Sequence, residues 1–155
     1  MSAHIAETAL VTETGAGTYQ NAITLGAHRL TADEPEDLGG DDTGPSPMEL
    51  VAAALGACTN ITVRMYANRK GWPLEHIHCQ VTHKKGHREV CAEEGEGPGA
   101  DQSKPGLADI FTRTITITGR LDDAQRARLM EIAQKCPVHK ALSGNACIRT
   151  FEKEA

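Results

Sequence analysis

The chain has 155 residues, 39% of them hydrophobic and 24% charged, a length and balance that predict one globular domain over residues 1–155 with a self-sufficient core. Its net charge of −5 and lack of a long basic run leave no electrostatic footprint for nucleic acid or anionic lipid. The N-terminal "MSAHIAETALVTETG" has neither the basic start nor the apolar core of a signal peptide, and the longest apolar run reads as too short to span a bilayer, so a cytoplasmic protein without a membrane partner is expected.

Only five residues are Phe, Trp or Tyr, which makes the expected core aliphatic and alanine-packed. The five cysteines, Cys58, Cys79, Cys91, Cys136 and Cys147, are odd in number and widely spaced, unlike a secreted disulfide framework. In a reducing compartment such thiols are free, catalytic or metal-bound rather than structurally bridged.

Residues His4 to Glu13 and Tyr19 to Leu25 alternate polar and apolar around "TGAGT", which predicts two strands and a glycine turn, with a third strand from His28 to Ala32. The acidic, Gly- and Pro-rich "DEPEDLGGDDTGPSP" follows and reads as a long loop. It ends in "SPMEL", where Ser46 can cap a helix, Pro47 takes the first helical position and Glu49 the third. That helix is expected to reach Lys70 and stop at Gly71, with Arg69 and Lys70 at its negative end. From Leu50 to Cys58 it is apolar on every face, which predicts burial all round, at the centre of the molecule or in an interface.

"EHIHCQVTHK", Glu75 to Lys84, alternates as a strand with Ile77, Cys79 and Val81 on one face. Residues 86–106 read as an exposed connection into "ADIFTRTITITGRL", which places Phe111, Arg113, Ile115 and Ile117 on one face and completes a long hairpin. "DDAQRARLMEIAQK" predicts a second amphipathic helix with an acidic start, and "ACIRTFEK" a short final strand.

Two cysteines occupy positions that invite chemistry. Cys58 sits within the most apolar segment of the chain, and Cys136 precedes Pro137, where it would cap a short helix. Unpaired amides and the helix dipole at such a cap favour thiolate over thiol, so Cys136 is expected to be reactive. Taken singly, each also fits a packing role. His139, three residues further on, can polarise a thiol or simply cap.

Other clusters carry less. His76, His78, Cys79, His83, His87 and Cys91 match no common zinc spacing, and the acids from Asp33 to Asp42 lack the spacing of an EF-hand, so no metal site is expected. Cys79 and Cys147 read as strand packing residues.

"GPSPMELVAAALGACT" followed much later by "CPVH", with "DEP" and "GG" ahead of the helix, resembles the OsmC/Ohr family of thiol peroxidases, in particular its OsmC-like branch, over nearly the whole chain. The resemblance implies an α+β OsmC-like fold, with antiparallel sheets packed on two main helices in an intertwined homodimer. It also implies thiol-dependent reduction of organic and other small hydroperoxides in oxidative-stress defence. Cys58 would be the peroxidatic thiol, Cys136 the resolving thiol and Glu49 an orienting carboxylate, with electrons drawn from an external dithiol reductant and no metal, flavin, haem or nucleotide cofactor needed. Glu49 and Cys58 are nine positions apart, about half a turn out of phase on one helix, so either Glu49 bends back from a frayed first turn or each site draws residues from two chains, the second agreeing with the homodimer that the resemblance implies.

The family's peroxidases carry an arginine before the central helix, whereas "ADEPEDLGGDDTG" contains none. The cations considered in its place are Arg29, Arg64 and Arg69. The alternative function is accordingly an OsmC-like small-molecule-binding or otherwise non-peroxidase domain.

Overall fold

The computed structural model describes residues 8–87, 107–144 and 146–152, and the chain divides into two compact units, residues 1–51 and 52–155. The architecture is α+β, as expected. In the first unit, β1 (Ala9–Glu13), β2 (Asn21–Leu25) and β3 (His28–Ala32) form an antiparallel sheet in sequence order, with Val11 opposite Ile23 and Ile23 opposite Leu30. The second strand starts two residues later than expected because the turn claims Gln20. Its side chain accepts from Thr14 Oγ1 at 2.6 Å, and its carbonyl accepts the Thr14 amide at 3.1 Å.

The acidic loop is organised from within. Asp33, only 2% exposed, accepts from the amides of Glu34, Asp41 and Thr43 at 2.9, 3.3 and 3.2 Å and from the Thr43 hydroxyl at 2.7 Å. The Thr43 hydroxyl is the main cause that holds this carboxyl below its ordinary range, the three amides adding to it against the opposing effect of burial.

Helix α1 (Pro47–Lys70) begins as expected. The Glu49 carboxylate accepts from the Ser46 amide and hydroxyl, at 2.8 and 2.9 Å. It ends at Gly71, which has φ +64, and the Trp72 amide closes the last turn on the Ala67 carbonyl at 3.0 Å.

The chain by itself covers α1 on one side, so of the two expected placements burial at the centre of the molecule is corrected, and burial in an interface stays an expectation. The buried side is a stripe of Leu55, Gly56, Thr59, Val63 and Ala67, whereas Ala53, Ala54 and Ala57 are exposed, as are Ile61 and Met65. An all-apolar sequence does not state which face finds a partner, and the described residues cover one side. The expectation that no apolar run can span a bilayer is corrected too: by length and composition alone this 24-residue helix, with mean hydropathy 1.3 over its most apolar window, is long and apolar enough.

In the second unit β4 (Leu74–His87) and β5 (Leu107–Gly119) form a two-stranded antiparallel ladder in which Cys79 faces Ile115 and Val81 faces Arg113. β4 continues three residues beyond the expected Lys84, because its pairing with β5 persists to His87 opposite Leu107. The expected exposed connection falls outside the described residues from position 88 onward. A register irregularity at Glu75 is clamped by Arg64, whose guanidinium donates to the carbonyls of Leu74 and Glu75.

Helix α2 (Asp123–Ala133) starts with a capping box in which the Asp122 carboxylate accepts the Gln125 amide at 2.7 Å and Gln125 Oε1 accepts the Asp122 amide at 3.1 Å. Val63, Ala67, Leu74, Ile77, Leu129, Ile132 and Ala133 form the core between these elements. The short α3 (Pro137–Leu142) follows with Cys136 at its N-cap. The expected final strand does not form among the described residues. Residues 146–152 belong to no strand, Ile148 and Phe151 are strongly exposed, and Cys147 is exposed rather than packed. With no ladder partner among the described residues, β-propensity alone cannot build a strand.

Candidate functional site

Cys58, from the middle of α1, and Cys136, from the α2–α3 corner, meet in the second unit. Cys136 is fully buried and Cys58 half-buried, both are free thiols, and their sulfurs lie close enough to interact. Pro137 at the start of α3 gives up no amide hydrogen, so the next free N–H groups point at residue 136. Cys136 Sγ accepts the His139 amide at 3.3 Å.

Thr59, next to Cys58 on α1, is fully buried beside Cys136. Its hydroxyl donates to the Leu55 carbonyl one turn back at 2.7 Å, and its oxygen lies 3.9 Å from Cys136 Sγ, the outer reach of a sulfur hydrogen bond. Arg113 from β5 completes the cluster. Nη1 donates to Thr59 Oγ1 and to the Ala133 carbonyl, each at 3.0 Å, and Nη2 lies 3.0 Å from His139 Nδ1. A guanidinium has donors only, so Nδ1 is the acceptor in this contact.

Burial pushes the Cys136 thiol above its ordinary pKa. The His139 amide and the Thr59 hydroxyl pull the other way, and the neighbouring Cys58 adds to the rise. The expectation that the helix cap would make Cys136 a thiolate is therefore corrected. The cap is present, but the cost of charging a fully buried sulfur outweighs one amide bond and a six-residue helix. Cys79 on β4 is a third thiol bordering the cluster. Burial raises it, the Arg113 charge opposes the rise, and Cys136 reinforces it.

Glu49 belongs to the first unit, where it is exposed, and the Ser46 amide and then the Ser46 hydroxyl hold its carboxyl below the usual range. None of the three arginines considered from the sequence is bonded to a thiol among the described residues. Arg29 donates to the carbonyls of Gly26 and His28, Arg64 clamps the β4 irregularity, and Arg69 lies over the Tyr66 ring at 5.2 Å. Sequence reasoning missed Arg113 and Thr59. The signal for Arg113 was its place on the strand face shared with Phe111, Ile115 and Ile117, where a charge needs buried partners. Of the histidine cluster, His76 and His78 are exposed, His83 pairs with Asp109 at 2.9 Å, and Cys91 lies outside the described residues. Among the described residues no three candidate ligands come together.

Comparison with protein families matches residues 39–150 to the OsmC-like protein family, a span that includes the central helix and both cysteines of the cluster. The chain belongs to the OsmC-like family. Solved structures of similar fold include the organic hydroperoxide resistance protein OsmC of Legionella pneumophila, 23% identical over 93% of each chain with a TM-score of 0.64. An organic hydroperoxide resistance protein of Elizabethkingia anophelis is 20% identical, with a TM-score of 0.65 over 94% of this chain and 93% of that one. OhrB of Bacillus subtilis, also an organic hydroperoxide resistance protein, is 22% identical over 92% of this chain and 94% of its own, with a TM-score of 0.57. These likenesses establish the fold of this OsmC-like chain. Comparison with curated protein sequences gives no match.

Proposed function

We propose that this OsmC-like protein reduces organic and other small hydroperoxides with two cysteines, in oxidative-stress defence in the cytoplasm. The observation that carries the reading is the meeting of the Cys58 and Cys136 thiols from distant parts of the sequence. The Cys58 thiolate attacks the distal oxygen of the hydroperoxide; the O–O bond breaks, the alkoxide leaves as alcohol after taking a proton, and Cys58 becomes a sulfenic acid. Cys136 then attacks that sulfur, water leaves, and a Cys58–Cys136 disulfide forms, which an external dithiol reduces. A resolving thiol can stay protonated until it is needed, which suits the raised pKa of Cys136.

Glu49 serves as the orienting carboxylate in this reading, and the protein works as a homodimer in which the exposed side of α1, with Ile61 and Met65, meets a second copy. Peptide mapping by mass spectrometry before and after one equivalent of cumene hydroperoxide tests the proposal. Prompt formation of the Cys58–Cys136 disulfide, abolished in Cys58→Ser, is expected. If both thiols stay reduced in the folded protein, the peroxidase reading fails and a non-peroxidase binding domain takes its place.

A further inference from the structure

Arg113 spends its planar fork on groups that border both thiols. One nitrogen holds Thr59, the residue next to Cys58, together with the last carbonyl of α2 at Ala133, and the other meets the His139 ring on α3. Only residues 134–136 lie between α2 and α3, and Cys136 is the last of them. The positions of Ala133 and His139 therefore set where the Cys136 sulfur lies, and Thr59 ties that setting to α1.

We propose that Arg113 is the positioning residue for disulfide closure, holding the α2–α3 corner so that Cys136 Sγ faces the sulfur of Cys58. The inference rests on the two-cysteine reading above for its biological meaning. The step positioned is the attack of the Cys136 sulfur on the Cys58 sulfenic acid, in which an S–S bond forms, the S–O bond breaks, and water leaves with the Cys136 proton.

Geometry rather than charge is the property required. Lysine keeps the positive charge but offers one nitrogen on a flexible stem, and it cannot reproduce bonds from two nitrogens of a plane to three separate groups. Arg113→Lys is therefore expected to close the disulfide about tenfold or more slowly, the scale on which misplacement of reacting groups is felt. Thr59→Val, which removes the link to α1 with little change in volume, is expected to slow it in the same direction.

The experiment measures closure in the full-length protein in two ways. Diamide joins neighbouring thiols by a two-electron oxidation, itself taking up two hydrogens, and requires no peroxide. Cumene hydroperoxide reports the proposed reaction, with Cys58 sulfenic acid trapped by dimedone in parallel. In both variants slower closure with diamide, and a lower ratio of disulfide to trapped sulfenic acid with hydroperoxide, are expected. A general loosening of the site would lower both products together and leave that ratio unmoved. Closure by diamide at the wild-type rate in folded Arg113→Lys overturns the positioning role. Should the wild type close with diamide but not with hydroperoxide, the peroxidase reading fails while the diamide rates still decide the role of Arg113.

Discussion

Gly56 offers a quantitative test of how α1 is seated on the second sheet. It is buried, and a Cβ added there would lie 3.3 Å from Val81 Cγ2 and 3.7 Å from the Cys79 carbonyl oxygen. In Gly56→Ala, the gain in helix propensity is about 0.8–1 kcal/mol. The methyl group is a few tenths of an ångström too close to the tip of a half-buried valine, so part of that gain is lost to a small shift. The expected net change is within about 1 kcal/mol of zero. Gly56→Val extends two carbons beyond that methyl, towards the side chain of Val81 and the backbone of β4, and is expected to cost about 1–3 kcal/mol, the usual range for overpacking. Thr59 lies on the same buried stripe, so the same displacement is expected to separate it from Cys136 and to slow the proposed disulfide closure. Urea titration of the three proteins gives the stabilities directly. A Gly56→Val protein as stable as the wild type would refute close packing of α1 on β4 at Cys79 and Val81.

Leu129 is fully buried in the core of the second unit, and Leu129→Ala is expected to lower stability by about 2–5 kcal/mol in urea titration. Cys136 and Cys79 have raised pKa values, so the folded chain keeps protons that the unfolded chain releases. Their contribution is full below the ordinary thiol pKa of about 8.5 and is lost as pH climbs through the raised folded values. Urea titrations at increasing pH above that point are expected to show the wild type losing stability more steeply than Cys136→Ala; equal slopes would contradict the assignment. The lowered pKa of Asp33 has the opposite sign, its contribution being present at neutral pH and lost as pH falls through the folded value. In Asp33→Ala the amides of Glu34, Asp41 and Thr43 are expected to exchange faster with deuterium, with the core amides of the second unit as the unchanged control.

Local chemistry made several features readable from the sequence. Ser46, Pro47 and Glu49 announced the start of α1, Gly71 its end, and Cys136 before Pro137 the cap of α3. Each depends on residues only a few positions apart. The failures were non-local. An all-apolar segment carries no mark of which stripe will be covered, so the exposure of Ala53, Ala57 and Ile61 was hidden. The acidity of Cys136 is a contest between a local cap and burial by distant elements, and only the fold decides it. Arg113 is 55 positions from Cys58, and β5 delivers it to the thiols through pairing with β4, which the hairpin pattern implied without naming the guanidinium's partners.

The two thiols that meet in the second unit are 78 positions apart along the chain. A bond between them would close a loop of about half the protein. On the chain-entropy model such a loop deprives the unfolded ensemble of about 4–5 kcal/mol of configurational freedom, a large fraction of the net stability of an ordinary domain. The redox state of one sulfur pair would then set how long the whole second unit survives denaturant or protease, and a reductant that recycles the thiols would also return the chain to its more easily turned-over form.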